Sequence, residues 1–287
     1  MKYSKLFMFA CIVAIAALAL TASVGSLAAP AATCDVVVVT EDDVARQVED
    51  TPPTKNWVLY TRAATPGTGT FVVGPGQPPL GVGSLQLQTV SGSDKVFLFN
   101  YDHIGTRLAD INKMGYATYR TAGSADQLPS INIQVDYNGP DVAGGFTTLV
   151  FEPVYNLNQQ AVVNNTWQTW DAYNGGQAIW WSTRAIPGVC ARDCFVTWDA
   201  IVAANPNATI LGGYGINQGS GNPGLNVNVD ALSIGTGDDC VTYNFDPFRV
   251  ATTKEDCKNG GYNNMKDAQG NSFKNQGQCI QYVNTGK

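Results

Sequence analysis

The chain has 287 residues, 17 Lys and Arg against 23 Asp and Glu, and a formal net charge of −6. An acidic chain with scattered basic residues lacks the basic face that nucleic-acid binding needs, so nucleic acid is excluded as a partner. Charged residues at 14% together with 30 Gly are the composition of an exported β protein rather than a cytosolic enzyme.

The chain opens with Lys2 and Lys5, an apolar run from Leu6 to Leu20, and then small residues from Thr21 to Ala29. That order reads as a cleavable secretory signal over 1–28, cut after Ser26-Leu27-Ala28, with Ala29-Pro30-Ala31 as a second cleavage option. The run is short for a membrane span, which needs about 20 residues. A secreted, extracellular or cell-surface location is therefore expected, with no transmembrane segment after cleavage. Removing Lys2 and Lys5 takes the net charge from −6 to −8.

Seven Cys are present, and Cys11 lies in the apolar run, so six remain in the rest of the chain. An even count in an oxidising compartment reads as disulfides. Proximity pairs Cys190 with Cys194 and Cys257 with Cys279, which leaves Cys34 with Cys240. Zinc is disfavoured, because there is no CxxC pair and His103 is the single His.

Short β-branched or alternating runs then follow in order, punctuated by Gly, Pro and Asn. Strands are predicted at 35–40, 57–62, 70–73, 84–89, 95–100, 116–120, 131–137, 147–155, 167–172, 178–182, 209–214, 225–234 and 240–245. The acidic stretch 41–53 reads as a linker or edge segment. Phe195–Ala204 has apolar residues at helical spacing, with Thr197 as N-cap and Asn205-Pro206 as the stop. The glycine-rich stretch 212–224 reads as a long surface turn, with a ligand-rim loop as the alternative. Many short strands with such turns predict an all-β fold: a single antiparallel β-sandwich over 29–248, jelly-roll-like, with one short helix. Residues 249–287 read as a disulfide-clamped C-terminal tail, too short to bury a core of its own.

Two resemblances follow from quoted residues. The segments Cys257-Lys258-Asn259-Gly260-Gly261 and Phe273-Lys274-Asn275-Gln276-Gly277-Gln278-Cys279 resemble a tail found on many uncharacterised secreted bacterial proteins. The run Asn226–Ile234 resembles the VDxLxI closing strand of jelly-roll carbohydrate-binding modules and lectin-like or glucanase sandwiches. That second resemblance implies that Asp230 helps to hold a structural calcium. Asp238 and Asp239 near the end of the chain, and Asp35, Glu41, Asp42 and Asp43 near its start, would be its companions if the first and last strands are neighbours. No other cofactor is expected.

Candidate ligand contacts come from the block Trp167–Gly176 and the pair Trp180-Trp181. Sugar rings stack on aromatic faces while Asp, Asn and Gln bond the hydroxyls. Side chains alternate along a strand, so one Trp of each pair should be core. Trp170, Tyr173, Asn174 and Trp181 are the expected exposed set. For hydrolysis, Glu152 is the one Glu in the body, and it would need Asp136 or Asp171 as its second carboxylate. The alternating acid cluster E-x-D-x-E of glucanases is absent. His103 beside Asp102 lacks a G-x-S-x-G nucleophile motif and reads as a turn or rim residue. The leading expectation is a secreted or surface-displayed glycan-binding or adhesive protein without catalytic activity. A secreted polysaccharide hydrolase using Glu152 is the alternative, and a structural extracellular protein with no small ligand is the third.

Overall fold

The alternating runs of the sequence become strands that each bury one face. A computed structural model describes residues 33–124 and 126–287, and the signal segment 1–28 lies outside the described residues. In chain order the strands are β1 (Asp35–Val39), β2 (Val44–Val48), β3 (Trp57–Thr61), β4 (Thr68–Val73), β5 (Gly83–Gln88), β6 (Val96–Asn100), β7 (Ile111–Ala122), β8 (Ser130–Asp136), β9 (Phe146–Phe151), β10 (Trp167–Asp171), β11 (Ile179–Ser182), β12 (Val196–Thr197), β13 (Thr209–Gln218), β14 (Asn226–Thr236) and β15 (Asp239–Phe245). The α-helices are α1 (Trp198–Ala204), α2 (Lys254–Cys257) and α3 (Gln276–Thr285).

The strands form two sheets. The eight-stranded sheet runs β12-β11-β9-β8-β13-β6-β3-β2. In the seven-stranded sheet β14 is the spine, pairing with β7 along one side, and β7 in turn pairs with β10. On its other side β14 pairs first with β5 and then with β15. The change falls at a bulge between Asp230 and Ser233, where Ala231 takes φ 53°. Both sheets are mixed, not purely antiparallel as expected: β1 lies parallel to β15, and β2 lies parallel to β3. The stretch 41–53 thus contains an edge strand, β2, with Pro52 and Pro53 beyond its end.

Buried residues from both sheets form one hydrophobic cluster. In β8 the inward set is Ile131, Ile133 and Val135; in β9 it is Leu149 and Phe151. Trp57 of the eight-stranded sheet meets Tyr243 of the other edge-on at 4.8 Å between ring centroids. The Tyr214 hydroxyl crosses in the same way, donating to the Ser233 carbonyl at 2.6 Å. Aromatic rings bury large areas, and a Tyr at such a site needs a partner for its hydroxyl, which Ser233 supplies.

The predicted helix is α1, and Thr197 caps it by accepting from the Ala200 amide. The tail adds two more α-helices, so the expectation of one helix is corrected. It also buries a small cluster of its own, Ala251, Cys257, Phe273 and Cys279, with Tyr262, Ile280 and Val283 against it. The tail was expected to be too short for this, but the Cys257–Cys279 bridge, with Cα atoms 5.7 Å apart, brings α2 and α3 together. Arg249 ties the start of the tail to the body, donating to both Asp43 oxygens at 2.7 and 2.8 Å and to the Val38 carbonyl at 2.8 Å.

All three disulfides form as spacing suggested: Cys34–Cys240, Cys190–Cys194 and Cys257–Cys279. Cys34–Cys240 staples the parallel β1–β15 pair one position ahead of its first residue pair, Asp35 and Val241. On chain-entropy grounds, closing a loop that long stabilises by about 5 kcal/mol. Among the described residues, no helix is long and apolar enough to cross a membrane.

A candidate ligand groove on the eight-stranded sheet

The outward residues of the eight-stranded sheet build the candidate site. Tyr60 of β3 and Phe97 and Phe99 of β6 point away from the main core and form a second apolar cluster with Val58. Tyr60 and Phe97 stack at 5.0 Å, and Phe97 meets Phe99 at 4.9 Å. Tyr101 extends this stripe, its hydroxyl 3.1 Å from that of Tyr60. Beside the stripe, β13 supplies Gly213, Gly215 and Asn217, β8 supplies Asn132 and Gln134, and β9 supplies Thr148 and Val150. Two adjoining recesses of about 180 and 370 Å³ lie over this surface and share Lys95, Asn132 and Asn217.

The glycines of β13 make the floor possible. A Cβ at Gly213 would sit 2.4 Å from the Phe99 ring, and one at Gly215 would sit 2.0 Å from the Leu98 carbonyl. Phe99 therefore packs against bare backbone at Gly213. Gln134 is fixed there too, its Oε1 accepting from the Gly213 amide at 2.8 Å. The stretch 212–218, expected as a surface turn, is instead the second half of a central strand. Only its continuation, with Gly219, Ser220 and Asn222, borders the larger recess as a loop.

The polar groups of the groove are unevenly used. Asn217 Nδ2 donates to Ser130 Oγ at 3.4 Å, while its Oδ1 is buried without a hydrogen-bond partner. Arg62 and Lys95 both bind Glu49, at 2.8 and 3.0 Å. Burial raises the Glu49 pKa, but these two cations outweigh it and hold the group below its ordinary value. Lys95 also sits 4.7 Å from the Phe97 ring centre. Glu152, at the far side, is half-buried and accepts from Trp181 Nε1 at 2.8 Å. Burial pushes its pKa up, and the Trp181 hydrogen bond offsets only part of this.

Of the expected ligand set, only Trp181 lines the groove. Trp170 was expected to be exposed and is fully buried, its Nε1 donating to Thr118 at 3.0 Å. The expectation that one Trp of each pair is core holds, but in the first pair the outward one is Trp167. Trp167 lies on the seven-stranded sheet, against Tyr119 at 5.6 Å, with Nε1 bound to the Pro75 carbonyl at 2.9 Å. Tyr173 packs against the main core, and Asn174 follows it in a turn whose amides are held by Asp171, at 3.0 and 2.6 Å. Neither Tyr173 nor Asn174 borders the groove.

The acids expected around Glu152 lie elsewhere. Asp136 pairs with Phe146 at the opposite end of β9. At about 3.3 Å per residue that is roughly 20 Å from Glu152. Asp171 belongs to the other sheet. Glu49 flanks β2, five strands away in the order of the sheet, which at about 4.8 Å per step is roughly 24 Å. Catalytic carboxylate pairs of glycosidases stand about 5–9.5 Å apart.

Asp230 is fully buried at the fork of β14. Its carboxylate accepts from the Phe245 amide of β15 at 2.9 Å and from the Leu80 amide ahead of β5 at 3.0 Å. It thus satisfies backbone donors where two strands share one edge of β14. Burial pushes its pKa up to about 7, with backbone hydrogen bonds opposing and neighbouring Asp246 adding to the rise. β1 and β15 are indeed neighbours, yet Asp43 takes Arg249 and Glu41 takes Arg46. Among the described residues no group of three or more His, Cys, Asp or Glu stands together as a metal site. His103 bonds the Tyr243 hydroxyl at 2.8 Å through Nε2, and burial lowers its pKa. Asp102 instead accepts from Asn56 and Asn100.

No protein-family model matches the chain, and no curated protein matches it either. Among solved structures, the arabinose-bound α-L-arabinofuranosidase MgGH51 is similar at 14% identity with a TM-score of 0.33. That similarity covers 65% of this chain and 25% of the arabinofuranosidase chain.

Proposed function

We propose that the chain is a secreted or surface-displayed glycan-binding protein without catalytic activity, its two sheets forming one jelly-roll-like sandwich that binds along the outer side of the eight-stranded sheet. The observation that carries this reading is the groove: accessible aromatic faces at Tyr101 and Trp181 beside a row of amide and hydroxyl side chains. Sugars present apolar C–H faces to such rings and hydroxyls to such amides, and ligand sites combine concave apolar surface with a few convergent polar groups. Asn132, Gln134, Thr148 and Asn217 supply the amide and hydroxyl side chains of that row. The disulfides favour an oxidising compartment, which supports export. The C-terminal tail, like those on secreted proteins that it resembles, supports the same placement.

A glycan array with the purified chain tests this reading. Hits that weaken in Tyr101→Ala and Trp181→Ala support it, and silence across a broad array refutes it. The second reading, a hydrolase, is favoured by the raised pKa of Glu152 in the groove. The carboxylates weighed as its partner, Asp136 and Asp171, lie at the far end of β9 and on the other sheet. Release of reducing ends that disappears in Glu152→Gln would establish it.

A further inference from the structure

The charges around the larger recess are not those of the chain as a whole. Across an acidic sequence with net charge −6, this recess collects three cations, Arg62, Lys95 and Arg192, against one carboxylate, Glu152. Glu49 and Asp50 border the adjoining recess, and Glu49 is shared between Arg62 and Lys95. Arg192 is different: its guanidinium makes no ion pair and no side-chain hydrogen bond among the described residues.

Arg192 is also held in place by unusual local structure. The Cys190–Cys194 bridge closes a five-residue loop around it, with Cα atoms 5.2 Å apart. The Arg192 amide donates to the Ser182 carbonyl at 2.9 Å, and Ala191 makes a parallel bridge to Ser182, so the loop is sewn to the end of β11 next to Trp181. Arg192 takes φ 61°, a region that costs a side-chain-bearing residue and suits glycine. A residue kept there in spite of that cost, by a covalent loop that sets its direction, points to a use for the guanidinium itself.

We infer that the groove takes acidic glycans, such as uronate-containing polysaccharides, and that Arg192 receives a ligand carboxylate beside the ring stacked on Trp181. The inference rests on the glycan reading of the groove. A guanidinium presents paired N–H donors that match a carboxylate, and such charge-assisted hydrogen bonds are stronger than neutral ones. The rest of the acidic surface repels a polyanion, so recognition has to come from this local cluster rather than from a general basic field. Glu152 is the one opposing charge in the recess, and burial biases it toward its neutral form.

Titration of polygalacturonate, alginate and hyaluronan, each beside its carboxyl-reduced neutral counterpart, tests the inference. At least one acidic polymer should bind about 10-fold or more tightly than its reduced form, as expected for a hydrogen bond to a charged group. Arg192→Gln should remove most of that difference, Arg107→Gln on a distant surface should not, and Glu152→Gln should leave acidic binding within about threefold of wild type. Binding of neutral but not acidic polymers, or an acid preference unchanged in Arg192→Gln, overturns the inference and leaves the glycan reading standing. Silence of all six polymers together with an empty neutral-glycan array overturns both.

Discussion

The indole N–H of Trp181 donates to the carboxylate of Glu152 at 2.8 Å, across the β9–β11 pair. This contact ties the Trp181 ring to Glu152 at the wall of the larger recess. Glu152→Gln keeps an acceptor for the indole, so glycan affinity is expected to stay within about threefold of wild type, since one neutral hydrogen bond replaces a charge-assisted one. Glu152→Ala removes the acceptor and should weaken binding further. Titration of both variants against the same glycan checks this order.

Trp170 and Trp181 should respond oppositely to truncation. Trp170→Ala leaves a large cavity in the main core and should cost about 3–5 kcal/mol in denaturant unfolding. Trp181→Ala removes a half-buried side chain and should cost far less stability while damaging ligand affinity. Equal losses of stability would mean that Trp181 is core as well.

Gly213→Ala should disturb the groove floor. The added methyl would lie 2.4 Å from the Phe99 ring, which must tilt away from the sheet. Overpacking of this kind costs about 1–3 kcal/mol. Unfolding measurements on Gly213→Ala, with Gly92→Ala in open space as a control, test the packing directly.

Asp230 makes stability depend on pH. Its folded pKa, about 7, lies above its unfolded value. A group raised in this way contributes fully below the unfolded pKa, near 3.9, and the contribution is lost as pH rises toward about 7. His103 acts in the opposite sense: burial lowers its folded pKa, so its contribution is present above about 6.5 and lost as pH falls. Asp230→Asn leaves the His103 effect intact. The Tm advantage of wild type over Asp230→Asn should therefore shrink between about pH 4 and about pH 7. An advantage that stays constant over that range would contradict the assignment. The same melts with and without chelator test a structural calcium at Asp230, which would raise Tm only in the calcium-loaded sample.

Much of the fold was legible because burial here follows simple periods. INIQVD at 131–136 alternates, and the structure buries its Ile and Val while turning Asn132 and Gln134 outward. The disulfides and the Thr197 cap followed from spacing and residue type. The groove was less legible for a physical reason. Alternation says which residues share a face but not whether that face meets the core or solvent, so Trp170 and Trp167 were exchanged. The glycines at 212–215 carry the usual mark of a turn, yet they serve the close approach of Phe99 and Gln134. Phe97 and Phe99 lie in VFLFN, whose first four residues are all apolar, so no alternation marks a face there, and only the packing shows these two rings turned away from the main core. A signal was available: such an apolar run paired with a Gly-rich strand marks a floor covered on both sides.

Affinity for one array-selected glycan, measured in wild type and in Trp181→Ala, Tyr101→Ala and Trp167→Ala, tests the location of the site most directly. Trp181→Ala and Tyr101→Ala are expected to weaken binding about tenfold or more, given about 1–3 kcal/mol for an aromatic stacking contact of comparable type. Trp167→Ala, on the other sheet, is expected to bind as wild type does. Loss of binding in Trp167→Ala with full affinity in Trp181→Ala and Tyr101→Ala would contradict the groove and move the site to the seven-stranded sheet.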